Sequence, residues 1–114
     1  MTIKINKLGE DHPSVASTYN NMANVYNSQG KYDEALEYYN KALTIDINKL
    51  GEDHPSVATT YNNMAMVYDS QGKYDEALEY YNKTLSICIN KLGEDHPHTK
   101  LTRDNIRICK NNMK

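Results

Sequence analysis

The sequence repeats itself with a period of 42 residues. His12, His54 and His96 each lie in the phrase NKLGEDHP, and residues 5–46 match residues 47–88 at 36 of 42 positions. A period of 20–50 residues is typical of architectures that stack one small supersecondary unit several times. We therefore expect an array of similar units, each too small to bury its apolar surface alone.

Two stretches of each unit have the spacing of an amphipathic helix. The first predicts helix A, which begins near Pro13 with Asp11 or His12 as its cap and ends at Gly30. The second predicts helix B, which ends at Gly51. The apolar positions are Tyr19, Met22, Ala23 and Tyr26 in helix A, and Tyr32, Ala35, Leu36, Tyr39, Ala42 and Leu43 in helix B.

Each unit resembles the tetratricopeptide repeat. The family pattern W-x2-L-G-x2-Y followed by A-x3-F is present in relaxed form as Tyr61, Met64, Ala65 and Tyr68, then Ala77 and Tyr81. The unit is longer than the usual one of about 34 residues, and its LGEDHP and NNMA phrases are similar to the repeats of kinesin light chains. This resemblance implies an all-α fold, a right-handed α-solenoid of antiparallel helix pairs with two full repeats and a capping helix.

The repeat boundaries divide the chain into four predicted segments. They are a remnant of a preceding helix B and turn (1–12), repeat 1 (13–54), repeat 2 (55–96) and a C-terminal capping helix (97–114). In the last segment Arg103, Arg107 and Lys110 replace apolar helix A positions, as a terminal cap requires for solubility. We expect the chain to be the C-terminal part of a longer array.

The side of helix A opposite its tyrosines is mainly polar. The resemblance implies that this stripe lines the concave groove in which the family holds peptides. The candidate peptide-binding residues are Ser17, Asn20, Asn21, Asn24, Asn27, Thr59, Asn62, Asn63, Met66, Asp69, Leu101, Asn105 and Ile108. Asparagine suits this task because its amide can donate to and accept from an extended peptide backbone, and Asn21 and Asn63 match the groove asparagine of the family.

Two features of this stripe favour binding over a solvated polar face. Three of the six differences between the repeats fall on it, at Ser17/Thr59, Asn24/Met66 and Asn27/Asp69. The stripe also becomes more apolar towards the C-terminus, and exposed apolar groups among polar ones mark binding surfaces. The alternative is a solvated polar face, for which sequence drift at exposed positions explains the same differences. Neither full repeat has a Lys or Arg on the stripe to grip a partner's carboxylate.

Composition and motifs argue against other classes of protein. The formal charge is −2, the apolar stretches are too short to span a bilayer, and the basic residues of 97–114 lack interleaved aromatic residues. The repeat histidines occupy equivalent turns and are expected to cap helices, while Cys88 and Cys109 form no CxxC or Cys/His cluster. We expect no catalytic residue, cofactor, metal, nucleic-acid or membrane partner, and a cytoplasmic location.

The sequence therefore predicts a protein–protein interaction module that binds a peptide segment of a partner in the helix A groove. The alternative is a structural spacer or self-assembly element of a longer array. In that case, the uncovered N-terminal end would allow homo-oligomers.

Overall fold

A computed structural model describes residues 13–113 as five α-helices joined by short turns, with no strand in that range. The helices are α1 (Pro13–Ser28), α2 (Tyr32–Leu50), α3 (Pro55–Ser70), α4 (Tyr74–Leu92) and α5 (Pro97–Asn112). The predicted helices A are α1 and α3, the predicted helices B are α2 and α4, and α5 follows the helix A register. The all-α prediction is confirmed, while the expected caps Asp11 and His12 and the segment 1–12 lie outside the described residues.

The chain divides into two compact units, with the boundary between Glu52 and Asp53. In the first unit α1 packs against α2, and in the second α4 packs against both α3 and α5. The first unit has a core cluster of Val15, Ala16, Ala42 and Ile45. The second has one of Ala65, Ala77, Tyr81, Ile106 and Cys109.

A glycine turn reverses the chain after α1 and again after α3. Gly30 and Gly72 have φ values of 78° and 76°, a region that glycine enters without the steric cost paid by other residues. The Lys31 N–H donates to the Tyr26 carbonyl at 2.9 Å, and the corresponding bond after α3 is 2.8 Å long. This pattern is that of a Schellman motif, and it ends helix A at the predicted place.

Histidine caps the start of α3 and of α5, as the sequence predicts for these turns. His54 Nδ1 accepts a hydrogen bond from the Ser56 N–H at 3.0 Å, and His96 Nδ1 accepts one from the His98 N–H at 3.1 Å. In each case a proline occupies the first turn, where no N–H is needed. Because Nδ1 accepts, the proton of each neutral imidazole is on Nε2.

The buried face of helix A matches the predicted stripe only in part. Its tyrosines are only half-buried, and Met22 of α1 is 36% exposed, whereas the corresponding Met64 of α3 is fully buried. The most deeply buried helix A residues include small ones, with Ala16 1% exposed and Ala23 and Ala65 fully buried. The reason is that alanine lets two helices approach closely, whereas tyrosine carries a hydroxyl that needs a polar partner or water.

Those tyrosines instead form an aromatic layer between the two helices of each pair. The Tyr38 ring of α2 lies 5.8 Å from Tyr19 and 5.4 Å from Tyr26, and the Lys41 ammonium lies 5.0 Å from the Tyr38 ring centre. The second unit repeats the layer with Tyr61, Tyr68, Tyr80 and Lys83. Aromatic and cation–π contacts of this kind stabilise the pairing of the helices while each ring remains partly exposed.

Candidate functional site

A cavity of about 440 Å³ opens among α3, α4 and α5, entirely within the second unit. We call it the α3–α5 cavity. Its size falls within the range of about 300–1,000 Å³ that is typical of ligand pockets. Its lining consists of Pro55, Ala58, Thr59 and Asn62 from α3, Thr84, Ile87, Cys88 and Leu92 from α4, and His96, His98, Leu101 and Thr102 from α5 and its cap. None of these residues is a Lys, Arg, Asp or Glu.

Three of the predicted peptide-binding residues line this cavity, namely Thr59, Asn62 and Leu101. Leu101 is 55% exposed, and the predicted residues Met66 and Ile108, further along α3 and α5, are 47% and 51% exposed. The apolar trend seen along the helix A stripe is therefore present at the surface of the second unit.

The other predicted residues do not line the cavity. In the second unit Asn63, Asp69 and Asn105 are half-buried. In the first unit the exposed residues are Ser17, Asn21 and Asn24, and the half-buried ones are Asn20 and Asn27.

The two polar atoms of the Asn62 side chain have different surroundings. Its Nδ2 donates to the Met66 sulfur at 3.7 Å, while its Oδ1 is buried and has no hydrogen-bond partner among the described residues. Leaving a buried acceptor without a partner costs about 1–3 kcal/mol. Because Oδ1 is buried, a ligand in the cavity could reach it only if the Asn62 side chain moved.

Helix α4 contributes two polar groups to the wall of the cavity. The Thr84 hydroxyl lies 3.0 Å from the Tyr80 carbonyl and 3.3 Å from the Ala58 carbonyl, and donates to them, which links α4 to α3. Burial raises the pKa of the Cys88 thiol, and a hydrogen bond with Thr102 acts in the opposite direction. Cys88 is 4% exposed, and we expect it to stay a protonated, weakly nucleophilic thiol at neutral pH.

Sequence reasoning missed the contribution of helix B and of the turn histidines to this cavity. The prediction followed one face of helix A, and a single helix does not reveal which residues of its neighbours face it. A signal was present, because the differences Ala42/Thr84 and Asp46/Cys88 lie on helix B and both second-repeat residues line the cavity.

Two other predicted residues are hydrogen-bonded to buried tyrosines. Asn24 Oδ1 accepts a hydrogen bond from the Tyr39 hydroxyl. In the second repeat the Tyr81 hydroxyl is bonded to Asp69, and burial together with this carboxylate raises the pKa of Tyr81 to about 12. Asn24 and Asp69 therefore stabilise the helix pairs, independently of any contact with a peptide.

The two arginines of α5 each lie beside an acidic group. Arg103 donates to the Glu94 carboxylate at 3.2 Å, and Arg107 lies 3.0 Å from the Asp104 carboxylate. Within residues 13–113 no group of three or more His, Cys, Asp or Glu side chains could hold a metal ion. None of the described helices is long and apolar enough to cross a membrane.

Solved structures with the same helix-pair architecture are similar to this chain. BtubC (BKLC) from P. vanneervenii has a TM-score of 0.81 and 27% identity, over 90% of this chain and 41% of that one. A putative kinesin light chain of Podosopora anserina with nearly identical TPR-like repeats has TM-scores of 0.80 and 0.78 in two crystal structures. It is 23% identical over 98% of this chain and 53% of its own length.

This chain thus spans roughly half or less of the length of the structures that it matches. Among curated proteins no sequence matches it. The family model for the tetratricopeptide repeat matches residues 3–48, 14–90 and 56–106. Repeats of that kind generally mediate protein–protein interaction and are typically non-catalytic. With matches that cover most of its length and the helix pairs of that fold, the chain belongs to the tetratricopeptide repeat family.

Proposed function

We propose that this chain is a protein-interaction module that holds a peptide segment of a partner against the helix A stripe, with α3 and α5 of the second unit as its main contact surface. The observation that carries the proposal is the α3–α5 cavity, whose wall includes three residues of the predicted stripe. Exposed Met66 and Ile108 extend the apolar surface beyond it.

The physical argument rests on the mixture of groups at this surface. A half-open hollow flanked by half-exposed apolar side chains gains free energy when a ligand removes those side chains from water. The nearby asparagine and threonine side chains can orient a peptide backbone through hydrogen bonds. We extend the proposal to Ser17, Asn20, Asn21, Asn24 and Asn27, which hold the same helix A positions in the first repeat.

A peptide-array screen of the purified chain tests this proposal. We expect the double variant Met66→Arg/Leu101→Arg to lose the array hits, because both side chains are about half exposed and would place charge at the surface where the peptide packs. The matched control is Met113→Arg, whose side chain is 45% exposed at the end of α5. A folded double variant that keeps its hits, or a wild-type chain that binds no peptide, would contradict the proposal.

A second candidate function is self-assembly, and one observation favours it. Met22 and Val25 of α1 are 36% and 56% exposed, although the equivalent Met64 and Val67 of α3 are completely buried. Burying this apolar pair against a second copy would remove it from water. Sedimentation velocity over a wide concentration range should then show an oligomer that Val25→Glu abolishes, and a monomer at every concentration would count against this function.

The cysteines favour a cytoplasmic location for either function. Cys88 and Cys109 are both buried free thiols, and unpaired cysteines are typical of compartments kept reducing. Cell fractionation of the tagged protein tests this part of the proposal, and recovery from a secreted or organelle fraction would contradict it.

A further inference from the structure

The two repeats differ mainly around the α3–α5 cavity. Nine of the 42 positions of the second repeat line it, and three of the six differences between the repeats fall on those nine positions. They are Thr59, Thr84 and Cys88, where the first repeat has Ser17, Ala42 and Asp46. A fourth, Met66, accepts the hydrogen bond from Asn62.

These differences change the chemistry of the cavity wall. Cys88 stands where the first repeat has a buried carboxylate, that of Asp46. Without that charge, no acidic, lysine or arginine side chain is left among the lining residues. Ser17 to Thr59 and Ala42 to Thr84 each enlarge the side chain. The second repeat therefore has no acid, lysine or arginine in this wall, whereas the first repeat has an acid at the position of Cys88.

A charged group would be poorly stabilised in such a cavity. Burying a charge without a partner costs far more than burying a neutral side chain, so a charged ligand needs an opposite charge in the wall. The two arginines of α5, Arg103 and Arg107, are already paired with Glu94 and Asp104. The lining itself contains no lysine or arginine that would stabilise an acidic ligand.

From these observations we infer that the α3–α5 cavity takes an uncharged apolar side chain of the partner peptide. This inference rests on the proposed peptide-binding function and names the chemistry of the segment that binds. Aliphatic contacts come from Ile87, Leu92 and Leu101.

The experiment uses the full chain and libraries of short peptides with acetylated N-termini and amidated C-termini, so that no terminal charge contributes. Four matched libraries share their flanking positions and differ only at the central residue, which is aliphatic, aromatic, acidic or basic. We expect selection of the aliphatic or aromatic library.

Two variants of Cys88 separate the effect of an added charge on peptide affinity from the effect of losing the thiol. Cys88→Asp restores the residue that the first repeat carries at this position, and we expect it to weaken the best apolar peptide at least about tenfold. Cys88→Ala removes the thiol without adding charge and should bind within about threefold of the wild type, a difference of less than 1 kcal/mol. In the wild type, bound peptide should also slow the reaction of Cys88 with a small thiol reagent.

The outcomes separate this inference from the proposed function. Selection of the acidic or basic library, or equal affinity of the Cys88→Asp and wild-type chains, would overturn the inference while peptide binding itself stands. Protection of Cys88 that grows with protein concentration in the absence of peptide would make a second copy the occupant and would also overturn it. If no library binds a folded chain, both the inference and the proposed function are wrong.

Discussion

Two buried tyrosine hydroxyls, one in each repeat, are bonded to different positions of helix A. Tyr39 donates to Asn24, whereas Tyr81 is bonded to Asp69. The residue at position 66, which corresponds to Asn24, therefore does not have to accept a hydrogen bond from a tyrosine. It is a methionine that is 47% exposed. The differences Asn24/Met66 and Asn27/Asp69 are therefore coupled, because each repeat needs one acceptor for its buried hydroxyl.

We expect Asn24→Met to destabilise the chain by about 1–3 kcal/mol, because it leaves the Tyr39 hydroxyl without its acceptor. The double variant Asn24→Met/Asn27→Asp reproduces the second repeat and should recover most of the loss. Urea unfolding followed by circular dichroism measures both. A single variant as stable as the wild type would show that another group already accepts from Tyr39.

The raised pKa of Tyr81 predicts a change of stability at alkaline pH. Burial is its main cause, and the Asp69 carboxylate adds to it. The folded chain holds this proton more tightly than the unfolded chain, whose tyrosines ionise near pH 10. The stability contributed by this group is therefore complete below about pH 10 and is lost as the pH rises towards about 12.

An ultraviolet titration of phenolate formation, with Tyr81→Phe as the reference, measures this pKa directly. Asp69→Asn should lower the pKa of Tyr81, although burial should still keep it above the ordinary value. Ionisation of Tyr81 near pH 10, the ordinary value for tyrosine, would show that this prediction is wrong.

At the level of the helix, the three copies of helix A bury different faces. In α3 both Ala65 and the Met64/Val67 side are completely buried. In α5 the buried residues are Thr99, Thr102, Ile106 and Cys109, and Thr99 and Cys109 donate to carbonyls of Gly93 and Tyr74. The residues buried in each of these helices therefore differ with the neighbouring helices that it contacts. Exposed arginines occur on α5 but on neither α1 nor α3.

The histidine cap of α3 makes a prediction at this level. His54→Ala removes the acceptor of the Ser56 N–H and should cost about 1 kcal/mol, as the loss of other N-caps does. His54→Asn supplies a good capping side chain and should restore the melting temperature. An alanine variant with the same melting temperature as the wild type would show that the His54 cap does not contribute to stability.

Within residues 13–113, equivalent apolar positions of the two units are buried to different extents. Leu, Ile, Val and Phe make up only 20 of 114 residues, so tyrosine, alanine and methionine must supply much of the core. The described helices α1 and α3 have nearly the same sequence, yet Met64 and Val67 are fully buried where Met22 and Val25 are exposed. Local stability should follow this difference in burial.

We expect backbone amides in the middle of α3 to exchange hydrogen more slowly than their counterparts in α1. The comparison carries its own control, since nearly identical sequences have nearly identical intrinsic exchange rates. Native-state hydrogen exchange resolved by residue tests it. Equal protection in the two helices, or stronger protection in α1, would contradict the expectation.

The sequence by itself determined the repeat, the helices and their ends. The 42-residue period, the NKLGEDHP turns and the glycines at 30, 51, 72 and 93 are local signals, because caps and turns depend on neighbouring residues along the chain. Three residues of the stripe predicted from helix periodicity, Thr59, Asn62 and Leu101, also line the α3–α5 cavity.

Only the tertiary structure decided which surfaces meet. The cavity depends on how far α3, α4 and α5 stand apart, so neither Cys88 nor Leu92 could be assigned to its wall from the periodicity of one helix. The same holds for Tyr39 and Tyr81, whose different acceptors depend on contacts between helices. Periodicity identifies a helix face, but the distance between two faces is set by the side chains that pack between them.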